Sequence, residues 1–328
     1  MGRFHRLAVS TAVVLAITSI AQVQTVGASA PNGRIAFMRF DVTTQEQFVW
    51  TVNPDGTHEE QLLPYPAELP RWSPDGREIA VQCCDAAAQI VAVDTGATRT
   101  LPEPAGLFLL CDVWTADGAR LLCEGFGNPP DDNNTPSDLD GIYSIRASDG
   151  SDLRRVTADP GGFDGPQDVS PDGSQLVFLS FGDPDTLLFV GLNGGGVRRV
   201  GTGGLFDISS ASWSPDGQWI LFPARRTPDQ RRSLFVIHPD GSGLHEIAIS
   251  PACGASVDSR NSRGCLDPTW SPDGSKILFD IFQGYNFQKY LHTVNPDGSH
   301  LEKVTRHGFV LGDDEGEQSP DWGTHPLE

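Results

Sequence analysis

The sequence predicts an all-β protein, a six-bladed β-propeller closed by pairing of its N- and C-terminal strands in one blade. Three observations predict it. A Ser-Pro-Asp-Gly turn recurs along the chain, a second series of glycine-closed turns interleaves with it, and each chain end carries part of one repeat. Composition agrees. With 36 Gly and 25 Pro in 328 residues the chain has too many breakers for a helical protein, and 17 Phe with 7 Trp are too many aromatics for a disordered one.

The first thirty residues read as an address. Met1 to Arg6 is a basic stretch, Leu7 to Ala21 is apolar, and Ala28-Ser29-Ala30 fits the small-residue cleavage pattern. We expect a secretory signal peptide over 1–30, cut after Ala30, and one propeller domain over 31–328. The alternative is an uncleaved anchor, but the apolar run is short for a membrane span. The mature chain is then secreted or periplasmic, with no integral membrane segment. Twenty Arg against 3 Lys suggest GC-rich codons and a bacterial source.

The first turn series defines the inner half of each repeat. Ser73-Pro74-Asp75-Gly76 returns as Thr115-Ala116-Asp117-Gly118, Ser170-Pro171-Asp172-Gly173, Ser214-Pro215-Asp216-Gly217 and Ser271-Pro272-Asp273-Gly274. Pro presets φ, Asp suits the next position, and Gly takes the left-handed conformation that closes the hairpin. Trp72, Trp114, Val169, Trp213 and Trp270 precede these turns, and an apolar strand such as Ile220-Leu-Phe222 follows each one. The second series includes Val52-Asn-Pro-Asp-Gly56, Ile237-His-Pro-Asp-Gly241 and Val294-Asn-Pro-Asp-Gly298. Each repeat therefore holds four strands.

Spacing gives the number of blades. Inner glycines at 33, 76, 118, 173, 217 and 274 are separated by 43, 42, 55, 44 and 57 residues. Pro320-Asp321-Trp322-Gly323 matches Pro268-Thr269-Trp270-Ser271, so the C-terminus supplies the first strand of the repeat whose second strand starts at Arg34. Four-strand repeats of this length with a split repeat mean a closed propeller without exposed edges.

The Pro-x-Trp-Ser-Pro-Asp-Gly pattern, the Ile-Ala-Phe strand and the Asn-x-Asp-Gly hairpin resemble the WD-like repeats of the TolB-type six-bladed propeller, over nearly all of 31–328. The resemblance is to the propeller module, without the α/β domain that TolB carries ahead of it. It implies either a binding scaffold or a component of a cell-envelope complex.

Charge narrows the partners. A formal charge of −20 argues against nucleic acid and against an anionic membrane surface. Both turn series close the same face, so the longer connections lie on the other, where binding usually sits. The channel mouth there is expected to be lined by Glu68, Asp112, Asp168, Asp207, Asp267 and Glu317. Such an acidic ring suits a cation or a basic segment of a partner; scattered solvated carboxylates are the alternative. Arg225, Arg226, Arg231 and Arg232 bracket one long loop and have the chemistry of an anion clamp. Tyr285 and Phe287 belong to an aromatic stretch suited to a contact patch. Asp131, Asp132, Asp138 and Asp140 crowd another loop without EF-hand spacing.

No catalytic motif appears: there is no Gly-x-Ser-x-Gly, no His-Glu-x-x-His and no phosphate-cradling loop. The leading expectation is a monomeric, non-catalytic module that binds a protein, peptide or glycan. No cofactor is expected, although a calcium or other divalent ion is compatible with the acidic mouth. The rival is a lyase or hydrolase working with channel-mouth carboxylates. Six Cys in an exported chain favour disulfides. Cys253 with Cys265 and Cys111 with Cys123 are the expected pairs. Cys83 and Cys84 remain open between a vicinal bond and pairing with the neighbouring blade.

Overall fold

The computed structural model describes residues 30–327 apart from 42, 85, 128–136, 159–163, 181–182, 194, 250–252, 254–263, 284–287, 306–308 and 311–318. The described residues form strands and turns with no helix, arranged as six antiparallel sheets. The innermost strands of blades 2 to 6 are Glu68–Trp72, Phe108–Trp114, Asp164–Val169, Ser212–Trp213 and Cys265–Trp270. Blade 1 takes its innermost strand, Asp321–Trp322, from the C-terminus. It pairs antiparallel with Ile35–Asp41, with Ile35 opposite Trp322 and Ala36 opposite Asp321. The ring is thereby closed by hydrogen bonds between the two chain ends, including Gly33 N to Gly323 O and Gly323 N to Arg34 O, both at 3.0 Å.

The turn chemistry accounts for the inner hairpins. Gly76, Gly118, Gly173, Gly217 and Gly274 all have φ between 67° and 72°, which L-residues adopt only at a cost. Each turn carries the same side-chain clasp. In blade 5, Ser214 Oγ donates to Asp216 Oδ1 at 2.6 Å, while Gln218 N donates to Asp216 and Trp219 N to Ser214 Oγ. Gly33, counted with this series on spacing, is not a left-handed turn residue. The chain enters the ring there, and a Cβ would collide with the His325 carbonyl.

The core lies between the blades. Five inner strands end in tryptophan, and each indole joins a cluster with the preceding blade: Trp114 with Ala80 and Ile90, Trp213 with Val177 and Phe189, Trp322 with Leu278 and Leu291. Burial of such aromatic wedges is the main apolar gain of the fold. Both short turns of every blade lie on one face, here the tight-turn face, and the longer connections lie on the other. No helix among the described residues is long and apolar enough to cross a membrane.

Candidate functional site: the central channel

The inner strands are irregular where they face the axis, and this irregularity builds the site. The register slips between Glu68 and Arg71, Cys111 and Val113, Pro166 and Asp168, and Leu266 and Thr269. In two of these strands, and just ahead of the blade 1 strand, the sequence shows a common cause of irregularity. Leu69, Asp267 and Ser319 have positive φ, and each precedes a proline that has no N–H for the ladder. After the bulge, the residue just before the Trp or Val position lines the axis in every blade: Arg71, Val113, Asp168, Ser212, Thr269 and Asp321.

The channel has a volume of about 1440 Å³. Four inner-strand carboxylates line it, Asp112, Asp168, Asp267 and Asp321, with Asp216 of the blade 5 turn beside them, against a single cation, Arg71, among the described residues. Arg71 donates to the carbonyls of Pro70 and Ser319 at 3.0 and 3.2 Å. Burial pushes the Asp112 carboxyl up to about 6, although the Arg71 charge opposes this. Burial raises Asp168 further, to about 7, against hydrogen bonds from Trp213 N and Val169 N. Asp321 is raised by burial as well, with Arg71 again opposing. Low dielectric disfavours an isolated charge, so each of these groups gains by meeting a cation.

Two of the four also hold the ring together. Asp168 Oδ2 accepts from Trp213 N in the next blade at 2.7 Å and from Ser212 Oγ at 3.3 Å. Asp321 Oδ2 accepts from Trp72 N in its next blade at 2.6 Å. The other two are less committed. Among the described residues Asp112 takes a hydrogen bond only from its own backbone N–H, and Asp267 Oδ2 is a buried oxygen without a hydrogen-bond partner.

Glu124, on the second strand of blade 3, is a further carboxyl that sequence reasoning missed. Burial first, then the charges of Asp112, Asp164 and Asp140, push it up to about 8. Asp164 comes from blade 4, so only the folded ring assembles this cluster.

The predicted acidic ring is therefore redrawn. Asp112, Asp168 and Asp267 line the channel, but Glu68 and Asp207 do not. Glu68 lies four residues before Trp72 and lines a separate pocket of about 350 Å³ with Gln82, Cys83, Cys84 and Phe108. Asp207 lies six residues before Trp213. It is drawn onto Arg225, whose Nε stands 2.7 Å from Asp207 Oδ2, and onto Arg232. Glu317 lies outside the described residues. Arg71 and Asp321 take the places that Glu68 and Glu317 were expected to fill.

Comparison with known proteins settles the family. The TolB beta propeller domain matches residues 25–324. The chain belongs to the TolB β-propeller family. TolB from Acinetobacter baumannii is similar in structure, with a TM-score of 0.67 at 20% identity, over 90% of this chain and 67% of that one. The putative TolB from Agrobacterium tumefaciens gives 0.58 at 18% identity, over 85% and 92%. An oligogalacturonate lyase in complex with manganese gives 0.55 at 15% identity, over 80% and 72%. At these identities the likeness is one of fold. Curated proteins include no match to the sequence.

In this TolB-type propeller the long-loop arginines do not stand as an open clamp. Asp207 engages Arg225 and Arg232, Arg226 Nε donates to Glu246 at 3.1 Å, and Arg231 packs beside Gly264. Tyr285, Phe287, Asp131 and Asp132 lie outside the described residues. Asp140 pins its loop by accepting from Gly127 N and Ser137 N. Among the described residues no group of three His, Cys, Asp or Glu is arranged to hold a metal ion. Disulfides join Cys111 to Cys123 across one hairpin and Cys253 to Cys265, and Cys83 bonds its neighbour Cys84.

Proposed function

We propose that this TolB-type propeller is an exported, non-catalytic interaction module whose channel receives a basic peptide segment of a partner from the long-loop face. The carrying observation is the charge imbalance of a channel of about 1440 Å³ with five carboxylates and one guanidinium on its wall among the described residues. Asp112 and the unpartnered Asp267 oxygen supply acceptors that the fold itself leaves unused. A guanidinium or ammonium inserted between them forms charge-assisted hydrogen bonds in a desolvated setting. The membership of the family and the export signal in the sequence support the extracytoplasmic setting.

The test is titration of the mature protein with a labelled tetra-arginine peptide. Asp112→Asn and Asp267→Asn should each weaken binding about tenfold, the scale of one charge-assisted hydrogen bond. Equal affinity in the wild type and both variants contradicts the reading.

One observation favours a second reading, carboxylate acid–base catalysis. Glu124 at about 8 holds its proton at neutral pH while neighbouring Asp112 at about 6 has lost most of its own, the division of labour that acid–base pairs use. Turnover of an acidic or neutral oligosaccharide by the wild type and its loss in Glu124→Gln would establish catalysis in place of simple binding.

A further inference from the structure

One wedge of the ring lacks its tryptophan. Where the other five inner strands end in an indole, the blade 4 strand ends in Val169, which joins Leu122, Ile142 and Leu188 in the cluster between blades 3 and 4. The adjacent wedge gives the measure of what is missing. There Trp213 meets Phe189 edge-on at 5.9 Å. Phe189 lies opposite Val177 in blade 4, four residues past the turn glycine, and the residue in that register in blade 3 is Ser144, opposite Leu122. The two aromatic places of one wedge are thus a valine and a serine in the next.

A groove of about 650 Å³ opens at this place and runs to the tight-turn face. Leu122, Val156 and Leu192 supply its apolar surface, and Ser144 lines it. Arg120, Arg154 and Arg155 form one wall. Asp152 alone receives Arg120, Arg146 and Arg154, at 2.8, 3.8 and 2.6 Å. Three guanidiniums on one carboxylate, with Asp149 reaching only Arg146, leave a positive surplus. Arg155 donates to the carbonyls of Thr157 and Asp140 and has no carboxylate partner among the described residues. On the other rim Asp117 and Asp172 are occupied by their own turns, accepting from Thr115 and Ser170. A basic wall in a chain of charge −20 is an exception that needs a partner of opposite sign.

We infer that this groove is a second binding site, for an extended acidic peptide segment of a partner protein that carries one bulky apolar side chain. The apolar side chain packs against Leu122, Val156 and Leu192. The flanking carboxylates meet Arg154 and Arg155, whose fork geometry suits them. The groove differs from the channel in charge and shares with it only Ala116 and Pro171.

The probe is a fluorescein-labelled Asp-Glu-Trp-Glu-Asp peptide read by anisotropy. It should bind at least tenfold more tightly than the same peptide with Ser for Trp, since burying an aromatic side chain exceeds the free energy of one decade. It should also outbind Lys-Arg-Trp-Arg-Lys. Arg154→Glu, at a side chain 63% exposed, should leave the melting temperature unchanged and weaken binding tenfold or more. Leu192→Asp, in the groove's own lining, should abolish binding, and Val156→Asp serves the same purpose should that variant fail to fold. No binding of the acidic peptide by the wild type, equal affinity for the Ser peptide, or indifference to Arg154→Glu each overturns the inference.

Discussion

Asp168 and Asp321 show how one residue serves both ring and channel. Each spans two blades through a backbone N–H of the following tryptophan. Asp168→Ala and Asp321→Ala should each cost about 2–3 kcal/mol, because a buried N–H loses its acceptor, and thermal unfolding measures this directly. Glu124 makes the opposite prediction. Its folded pKa, about 8, lies above its ordinary value. Between these values the native state holds more protons than the unfolded chain, so stability falls as pH rises through that window. The protein should melt several degrees higher at pH 5 than at pH 8, and Glu124→Gln should flatten that slope, adding about 2 kcal/mol at pH 8. The turn carboxylates act at lower pH. Asp75 is held below its usual range, first by the Ser73 hydroxyl, so its contribution is lost only on further acidification. Channel residues were half legible in the sequence. Counting back from each tryptophan finds Asp112, Asp168 and Asp267, but a bulge decides which neighbour turns inward. Glu68 and Asp207 stand too far back, while Arg71 and Asp321, immediately before the indole, pass unnoticed. Glu124 was invisible because its burial and the approach of Asp164 from the next blade arise only in the folded ring.

At the scale of the element, the Ser-Pro-Asp-Gly hairpin was legible because its chemistry is local. Ser, Asp and Gly satisfy one another within five residues. Two glycines separate backbone strain from packing. Gly217 has φ 68°, with nothing nearer to an added Cβ than Pro171 at 3.7 Å. Gly217→Ala should therefore cost only the conformational penalty, about 1 kcal/mol. Gly76 has the same conformation, but a Cβ there meets His325 N at 2.6 Å. That contact belongs to the C-terminal tail, where His325 Nδ1 donates to the Gly76 carbonyl at 2.8 Å and the ring stacks on Trp72 at 5.3 Å. Gly76→Ala should cost at least twice as much, as equilibrium unfolding of the two variants will show.

The whole molecule depends on closure. Asp321–Trp322 is a strand of two residues, yet it pairs with Ile35–Asp41 and seats an indole whose Nε1 donates to Gly33 O at 2.8 Å. Deleting residues 319–328 should open a sheet edge and expose the blade 1 wedges, giving a large drop in melting temperature and self-association on size exclusion. The split repeat made closure readable from sequence alone. The content of the channel was not, because it arises from six strands that meet only in the ring. The central claim is that this channel takes a cationic segment, and the most direct test is proton release on binding. Asp112 and Asp168 titrate near 6 and 7, and a bound guanidinium favours their ionised forms. Calorimetric titration with tetra-arginine at pH 6.5, in two buffers of different ionisation enthalpy, should show protons released to solvent, with affinity rising from pH 5 to pH 8. Binding without proton release and with pH-independent affinity would contradict the account.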